Sequence, residues 1–264
     1  MTVTPYFAAH AGAEERLRIA GLEALYDGTS KRRLLAAGLA RGHRCLELGA
    51  GAGSVARMLA ELSGTRVVAV DLDPRFLDPQ DARYEIRKLD ITAEGALSGE
   101  LFDVIHCRLL LMHLPDPAAV LRVLTVHLAP GGFLLVEEPN MCTWGPADPG
   151  APGGALVQRV IQLALEATER AGIWRNAVGP RLPTVFEQLG LLDVTCDGAC
   201  WVAPDERPEV MALMVQTLQL IAAHGIAAGA LTETEVHEAL ALIKARALRQ
   251  VTPTIFGTVG RRAR

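Results

Sequence analysis

The chain has 264 residues, half of them hydrophobic, with a net charge of −4 and five cysteines. That is enough apolar material for one sizeable α/β domain, and the acidic balance argues against a nucleic-acid backbone as the main partner. The cysteines show no Cys-x-x-Cys and no zinc-like spacing, so reduced thiols and no metal site are expected. Met1–Ala13 lacks a basic stretch followed by an apolar one, and no uninterrupted apolar run reaches the ~18 residues of a membrane span. The expectation is therefore a cytoplasmic protein, monomeric or homodimeric, whose partner is a small molecule, not a membrane or a nucleic acid.

In chain order, apolar residues at helical spacing predict one helix over Glu14–Tyr26 and a second over Ser30–Leu39. A regular alternation of strand and helix follows. Arg44–Leu48 reads as a strand, Gly49–Gly53 as a glycine loop, and Ser54–Leu62 as a helix stopped by Gly64. Arg66–Val70 is an apolar run, as expected of a parallel strand buried on both faces. Arg83–Leu89 and Phe102–Cys107 are further strands. Asp116-Pro117 has the form of a helix start, with that helix ending before Pro130-Gly131-Gly132 and a fifth strand over Phe133–Glu137.

Beyond Glu137 the pattern loosens. Pro139–Gly154 reads as a long loop, and Ala155–Ala171 and Leu182–Leu189 as helices. Leu192–Val202 reads as a strand, Arg207–Ala223 and Thr232–Leu248 as helices, and Val251–Val259 as a closing strand. Alternation of this kind predicts an open, mostly parallel sheet with helices on both faces.

The segment Glu47-Leu48-Gly49-Ala50-Gly51-Ala52-Gly53-Ser54 carries the chemistry. It lies at a strand-to-helix turn on the sheet edge where open α/β sheets bind ligands, and glycine there allows positive φ and close approach of a ligand to the backbone. Asp71 ends the next strand, about twenty residues on, where a carboxylate can accept both hydroxyls of a ribose. Loop and acid together indicate a nucleoside. The glycines space as G-x-G-x-G, not as the G-x-G-x-x-G that faces a pyrophosphate, and Glu47 beside them suits a cationic ligand better than a phosphate.

On these residues the chain resembles the class I S-adenosylmethionine-dependent methyltransferases. Leu25-Tyr26-Asp27, Gly53-Ser54-Val55-Ala56, the run Phe102–Pro117 and Pro130-Gly131-Gly132 before Leu134–Glu138 extend the likeness, more narrowly to bacterial natural-product methyltransferases. The resemblance implies a Rossmann-like α/β fold with seven strands, mostly parallel with the last antiparallel, helices on both faces and a helical lid. It implies S-adenosylmethionine as cofactor and methyl transfer to an O, N or C atom of a small organic molecule, in secondary metabolism. Gly49, Ala50 and Gly51 would lie against its methionine part, with Gly53 also in the cofactor loop and Asp71 on the ribose. Leu72 would lie beside the adenine, Asp90 and Ile91 at the adenine edge, and Cys107, Arg108 and Tyr26 near the methionine moiety.

The expected organisation is a single domain: a helical cap over 1–39, a cofactor core over 40–139, lid segments over 140–181 and 203–250, and a last strand and tail over 251–264. Asp73 and Asp116, each before proline, read as helix caps. His113, after the fourth strand, is a candidate general base, against the reading of a packing histidine; His106, inside the strand, is expected to be buried. Trp144, Trp174, Arg175 and Phe256 are candidates for the substrate side, since aromatics suit a flat or apolar acceptor. Two alternatives stand beside methyl transfer. One is a relative that binds the same cofactor but catalyses a cyclisation or rearrangement. The other is a nicotinamide-dependent oxidoreductase, disfavoured by the glycine spacing and the lack of a Tyr-x-x-x-Lys pair.

Overall fold

The computed structural model describes residues 12–264 apart from 94, 98 and 204–207. In chain order the elements are α1 (Gly12–Ala36), β1 (Cys45–Leu48), α2 (Ser54–Ser63), β2 (Val67–Asp71), β3 (Tyr84–Lys88), β4 (Phe102–Arg108) and α3 (Pro117–Val126). There follow β5 (Leu128–Asn140), β6 (Gly145–Pro146), α4 (Gly154–Arg170), α5 (Leu182–Gln188), β7 (Leu192–Ala199) and β8 (Val202–Ala203). The chain continues through α6 (Pro208–Ala227), α7 (Glu233–Lys244), β9 (Gln250–Val251) and β10 (Thr254–Arg261).

Seven strands form one sheet in the order β3-β2-β1-β4-β5-β10-β7. The pairs β2–β3, β1–β2, β1–β4 and β4–β5 are parallel, and the last strand runs antiparallel. All of β1 and four of the five residues of β2 are buried, which is why both read as unbroken apolar runs without alternation. Helix α2 starts after Gly53 and stops at Gly64, which lies at φ 68° with its N–H on Ala60 O. Asp116 caps α3, accepting from the Ala119 N–H at 2.9 Å, and Asp73 caps a short turn over Pro74–Phe76; both capping expectations hold.

Three differences from the sequence reading have physical causes. Helix α1 is continuous, because its polar residues Asp27, Ser30 and Arg33 find partners on the sheet that outweigh the propensity cost of Gly28. Strand β5 starts at Leu128, so Pro130-Gly131-Gly132 lies within it. A Cβ at Gly132 would come 2.8 Å from Asp103 O, where the β4–β5 register slips between Phe102 and Val104. Helix α6, although interrupted in sequence by Gln216, Thr217 and Gln219, is long and apolar enough by length and composition to cross a membrane.

The chain forms two compact units. The sheet unit holds Tyr26–Glu138, Val178–Gly198 and Phe256–Arg264. On one flank of its sheet, Leu34, Val55, Leu59, Val67, Tyr84, Val104 and Phe133 belong to a single buried apolar cluster. The helical unit holds the described residues from Gly12 to Leu25, Pro139–Ala177 and Ala199–Ile255. There α4, α6 and α7 pack on one another, and Gly21 of α1 sits so tightly on α6 that a Cβ would meet Glu209 O at 2.6 Å. A small antiparallel sheet, β6-β9-β8, completes this unit and occupies part of what read as loop.

Candidate functional site

The site grows from the turn after β1. Gly49, Gly51 and Gly53 have φ of 67°, 55° and 83°, conformations that L side chains resist. Each glycine has its own reason. A Cβ at Gly53 would press to 2.9 Å on Leu77, so packing and φ both demand glycine. Around Gly51 nothing lies within 4 Å of a Cβ position, so open space faces its backbone. The N–H groups of Gly49 and Ala50 donate to Val70 O at 2.9 and 3.1 Å, tying the loop to the end of β2.

Asp71 closes the arrangement. Its Oδ2 accepts from the Gly51 N–H at 2.9 Å and its Oδ1 from the Asp73 N–H at 2.9 Å. Burial raises its pKa, opposed by those two backbone donors. Beside it Leu72 is 43% exposed, an apolar side chain left open at the sheet's ligand edge. Asp90 Oδ1 accepts from the N–H and Oγ1 of Thr92 at 2.9 and 2.6 Å, which shapes the turn after β3, and Ile91 is buried.

Next to the loop lies a buried charge network that the sequence did not display. Glu47 and His106 are register partners on β1 and β4. His106 Nδ1 lies 2.6 Å from Glu47 Oε2, and its Nε2 lies 3.0 Å from Glu137 Oε2. Glu137 also accepts from Ser30 Oγ and, at 2.6 Å, from Arg33 Nη1, while Arg33 Nε reaches Asp197 at 2.5 Å. Arg108 donates to Ser30 Oγ and Asp27 Oδ1, each at 2.8 Å, and stands 5.9 Å from the centroid of the Tyr26 ring. Ser54, first residue of α2, donates to the same Asp27 oxygen at 3.1 Å.

Burial alone would keep the His106 ring neutral, but the Glu47 charge and the hydrogen bonds to Glu137 and Glu47 outweigh it and raise its pKa to about 9. Burial likewise opposes the Glu137 charge, yet hydrogen bonding to His106 and the nearby cations bring its pKa down to about 2. His106 thus lies as an imidazolium between the Glu137 carboxylate and Glu47, whose carboxyl is pushed up by burial against the pull of His106. The adjacent Cys107 is wholly buried, and burial holds its thiol well above the usual range; burial likewise pushes the Tyr26 phenol up.

The rim after β4 is shaped by Glu138. Its fully buried carboxylate accepts from the N–H groups of Leu110, Leu111 and Met112 at 2.8, 2.6 and 3.3 Å. Burial lifts its pKa to about 7, against the pull of those donors. Leu109, just before, holds φ 55° with its N–H on Glu137 O at 2.9 Å. His113 ends this turn, half-buried, with its N–H on Leu110 O at 3.1 Å.

Thus Gly51 is joined directly to Asp71, Gly49 and Ala50 are tied to the neighbouring Val70 carbonyl, and Arg108 and Tyr26 form a second cluster. Glu47, expected beside the loop, is 2% exposed and bonded to His106. Phe256 is half-buried in the sheet unit. Trp144, Trp174 and Arg175 belong to the helical unit. Trp174 is buried with Nε1 on Asn176 Oδ1 at 2.9 Å, Trp144 is buried, and Arg175 is exposed. Asp27, Ser30, Arg33, Glu137 and Glu138 also belong to this site, and the sequence analysis assigns none of them a cofactor role. The signal for Glu47 and His106 was available: aligning the two parallel strands puts them side by side. Among the described residues no group of three or more His, Cys, Asp or Glu is arranged to hold a metal ion.

A methyltransferase-domain family matches residues 21–186, well over half of the chain. The chain belongs to this methyltransferase family. It is similar to methyltransferase str2 of Strobilurus tenacellus, 32% identical over 170 residues, which is 63% of this chain and 59% of that protein. It is also similar to the ubiquinone biosynthesis O-methyltransferase of Albidiferax ferrireducens, 30% identical over 107 residues, 38% of this chain and 42% of that protein. The chain thus spans about half the length of the curated relatives it matches. In fold this chain is similar to a cyclopropane-fatty-acyl-phospholipid synthase-like protein from Lactobacillus casei, with TM-score 0.57 and 13% identity, covering 94% of this chain and 91% of that one. A second fold relative is phosphoethanolamine N-methyltransferase 2 of Haemonchus contortus, solved with S-adenosylhomocysteine. Its TM-score is 0.55 at 14% identity, covering 100% of this chain and 61% of that one.

Proposed function

We propose that this chain binds S-adenosylmethionine at the glycine loop and transfers its methyl group to an O, N or C atom of a small organic molecule. The observation that carries this reading is the latch between the Gly51 N–H and Asp71, with open space at Gly51. The residues present fit the cofactor. Asp71 retains lone pairs for ribose hydroxyls, the exposed Leu72 and the buried Ile91 offer apolar contact to adenine, and Asp90 stands at the end of β3 for its amino group. Gly49, Ala50 and Gly51 offer close backbone approach to the methionine part, with Gly53 starting α2 beside it. Arg108, Tyr26 and Cys107 line the end of β4.

When bound, the sulfonium supplies an electrophilic methyl group. The protein's share is orientation: fixing acceptor and methyl donor in line can supply ~7–11 kcal/mol of the barrier. The carboxylates Glu47, Glu137 and Asp27, balanced by His106, Arg33 and Arg108, set a fixed charge pattern near the loop that needs no rearrangement during reaction. His113, on the rim that Glu138 shapes, is the candidate to take a proton from a hydroxyl or amine acceptor. A role in secondary metabolism is part of this reading, and a reducing, cytoplasmic setting accords with five free cysteines.

Calorimetric titration of S-adenosylmethionine and S-adenosylhomocysteine tests it. Asp71→Ala is expected to lower affinity by about 10–100-fold, the loss of hydrogen bonds to a charged group; unchanged affinity rejects the ribose assignment. His113→Ala is expected to cut turnover by more than ~100-fold, and near-normal turnover makes His113 a packing residue.

A further inference from the structure

Two turns leave the ligand edge of the seven-stranded sheet side by side. β1 and β4 are parallel neighbours with Leu48 opposite Cys107, so the glycine loop after β1 and the turn after β4 emerge together. The two turns touch. A Cβ at Gly49 would lie 3.4, 3.5 and 3.7 Å from Cδ1, Cβ and Cδ2 of Leu110, and no other residue comes nearer to that position. The Leu110 side chain therefore fills the space beside Gly49.

The backbone of the turn holds Leu110 there. Its N–H and those of Leu111 and Met112 converge on the Glu138 carboxylate at the end of β5, the strand on the other side of β4. Leu111 and Met112 are buried and anchor the turn, while Leu110 is half-buried. Leu109 enters the turn at φ 55°, a conformation that a leucine keeps only where its surroundings impose it. A wholly buried carboxylate is a costly way to close a turn, since a short polar side chain within the turn can do so locally. Its position on β5 does what a local side chain could not: it ties the turn to the sheet, and through Leu110 it fixes one side of the loop.

We propose that Glu138 is a positioning residue for the cofactor loop: its carboxylate holds the turn after β4, Leu110 is thereby seated against Gly49, and release of the turn loosens the loop and weakens cofactor binding. The link from Glu138 to the loop stands on this geometry; its effect on S-adenosylmethionine rests on the methyltransferase reading.

The link is sensitive to protons. Burial lifts the Glu138 carboxyl to about 7 against its three donors, and the charge of Glu137 beside it on β5 adds to the lift. On β4, burial keeps the Cys107 thiol neutral, and Arg108 is engaged by Asp27 and Ser30. Gly179, packed on the Glu138 carbonyl, carries no charge, and His113 is the titratable side chain of the turn itself. Above pH 7 the three N–H groups face a charged acceptor. Below it they face a neutral one, and hydrogen bonds to a neutral acceptor are weaker.

Amide resonances of the full chain read the link without any cofactor. The Gly49 and Ala50 signals are expected to titrate with a midpoint near pH 7, to lose that titration in Glu138→Gln and in Leu110→Ala, and to keep it in His113→Gln. In Leu110→Ala the Leu111 signal is expected to titrate still, because Glu138 and its turn remain. Calorimetry with S-adenosylhomocysteine reads the consequence. Affinity is expected to be about fivefold or more higher at pH 8 than at pH 6, the lower end of ordinary coupling between sites, and nearly level in Glu138→Gln and Leu110→Ala. Loop signals without the titration, or a titration that survives Leu110→Ala, overturn the link. A loop that titrates while the unaltered protein binds equally at both pH values overturns the positioning role. Absence of binding at any pH overturns the methyltransferase reading instead, and the Gly49 titration then judges the link by itself.

Discussion

At the scale of single residues, His106 decides how the charges around the loop are borne. With a folded pKa of about 9 against an ordinary 6.5, it favours the folded state fully below about pH 6.5 and loses that contribution as pH rises through 9. Glu137, depressed to about 2, contributes above its ordinary 4.5 and loses its contribution only as pH falls through 2. Urea denaturation is therefore expected to show stability falling between pH 6.5 and 9, a slope absent from His106→Leu. That variant removes the cation that lies between Glu47 and Glu137, and a loss of about 3–5 kcal/mol at pH 6 is expected. A variant as stable as the parent, with the slope intact, shows the imidazolium to be dispensable. The histidine's burial was legible from its place within an apolar strand. Its partners were less so, because Glu47 and Glu137 lie 59 and 31 residues away in the chain and only strand register brings them together.

At the scale of elements, backbone signals were read well and tertiary ones poorly. The central strands announced themselves by apolar runs between glycines, and α2 and α3 by Gly64 and by Asp116-Pro117. The sequence predicts two helices, ending at Tyr26 and restarting at Ser30; what carries α1 through as one helix is the row Asp27, Ser30, Arg33, each bonded to a residue of β4 or β5. This row also dictates a glycine elsewhere. A Cβ at Gly257 of β10 would fall on the Arg33 guanidinium, so Gly257→Ala is expected to displace Arg33 from Glu137 and cost about 1–3 kcal/mol in chemical denaturation. Equal stability of that variant would mean the arginine has room to move. The turn after β4 is a second case. Its three N–H groups converge on Glu138, whose pKa near 7 makes the grip strongest above neutrality. The amide resonances of Leu110 and Leu111 are expected to titrate with a midpoint near pH 7 and to lose that titration in Glu138→Gln. Persistence of the titration would assign it to another group.

At the scale of the whole molecule, the sheet unit is assembled from three separate stretches of chain and the helical unit from three more. Composition and alternation predicted the seven-stranded sheet, but the short strands β6, β8 and β9 were invisible, since two-residue strands carry no periodicity to detect. The strand order has a practical consequence for truncation. β10 lies between β5 and β7, so removing residues 254–264 opens a gap within the sheet, not at its border. Such a truncated chain is expected to lose its cooperative thermal transition and to aggregate through the unpaired margin of β5. A soluble product with a sharp transition would show that the remaining strands close up. The same placement bears on synthesis. β10 follows all its sheet neighbours in the chain, so during synthesis β5 has no partner on that side until residues 254–261 are made.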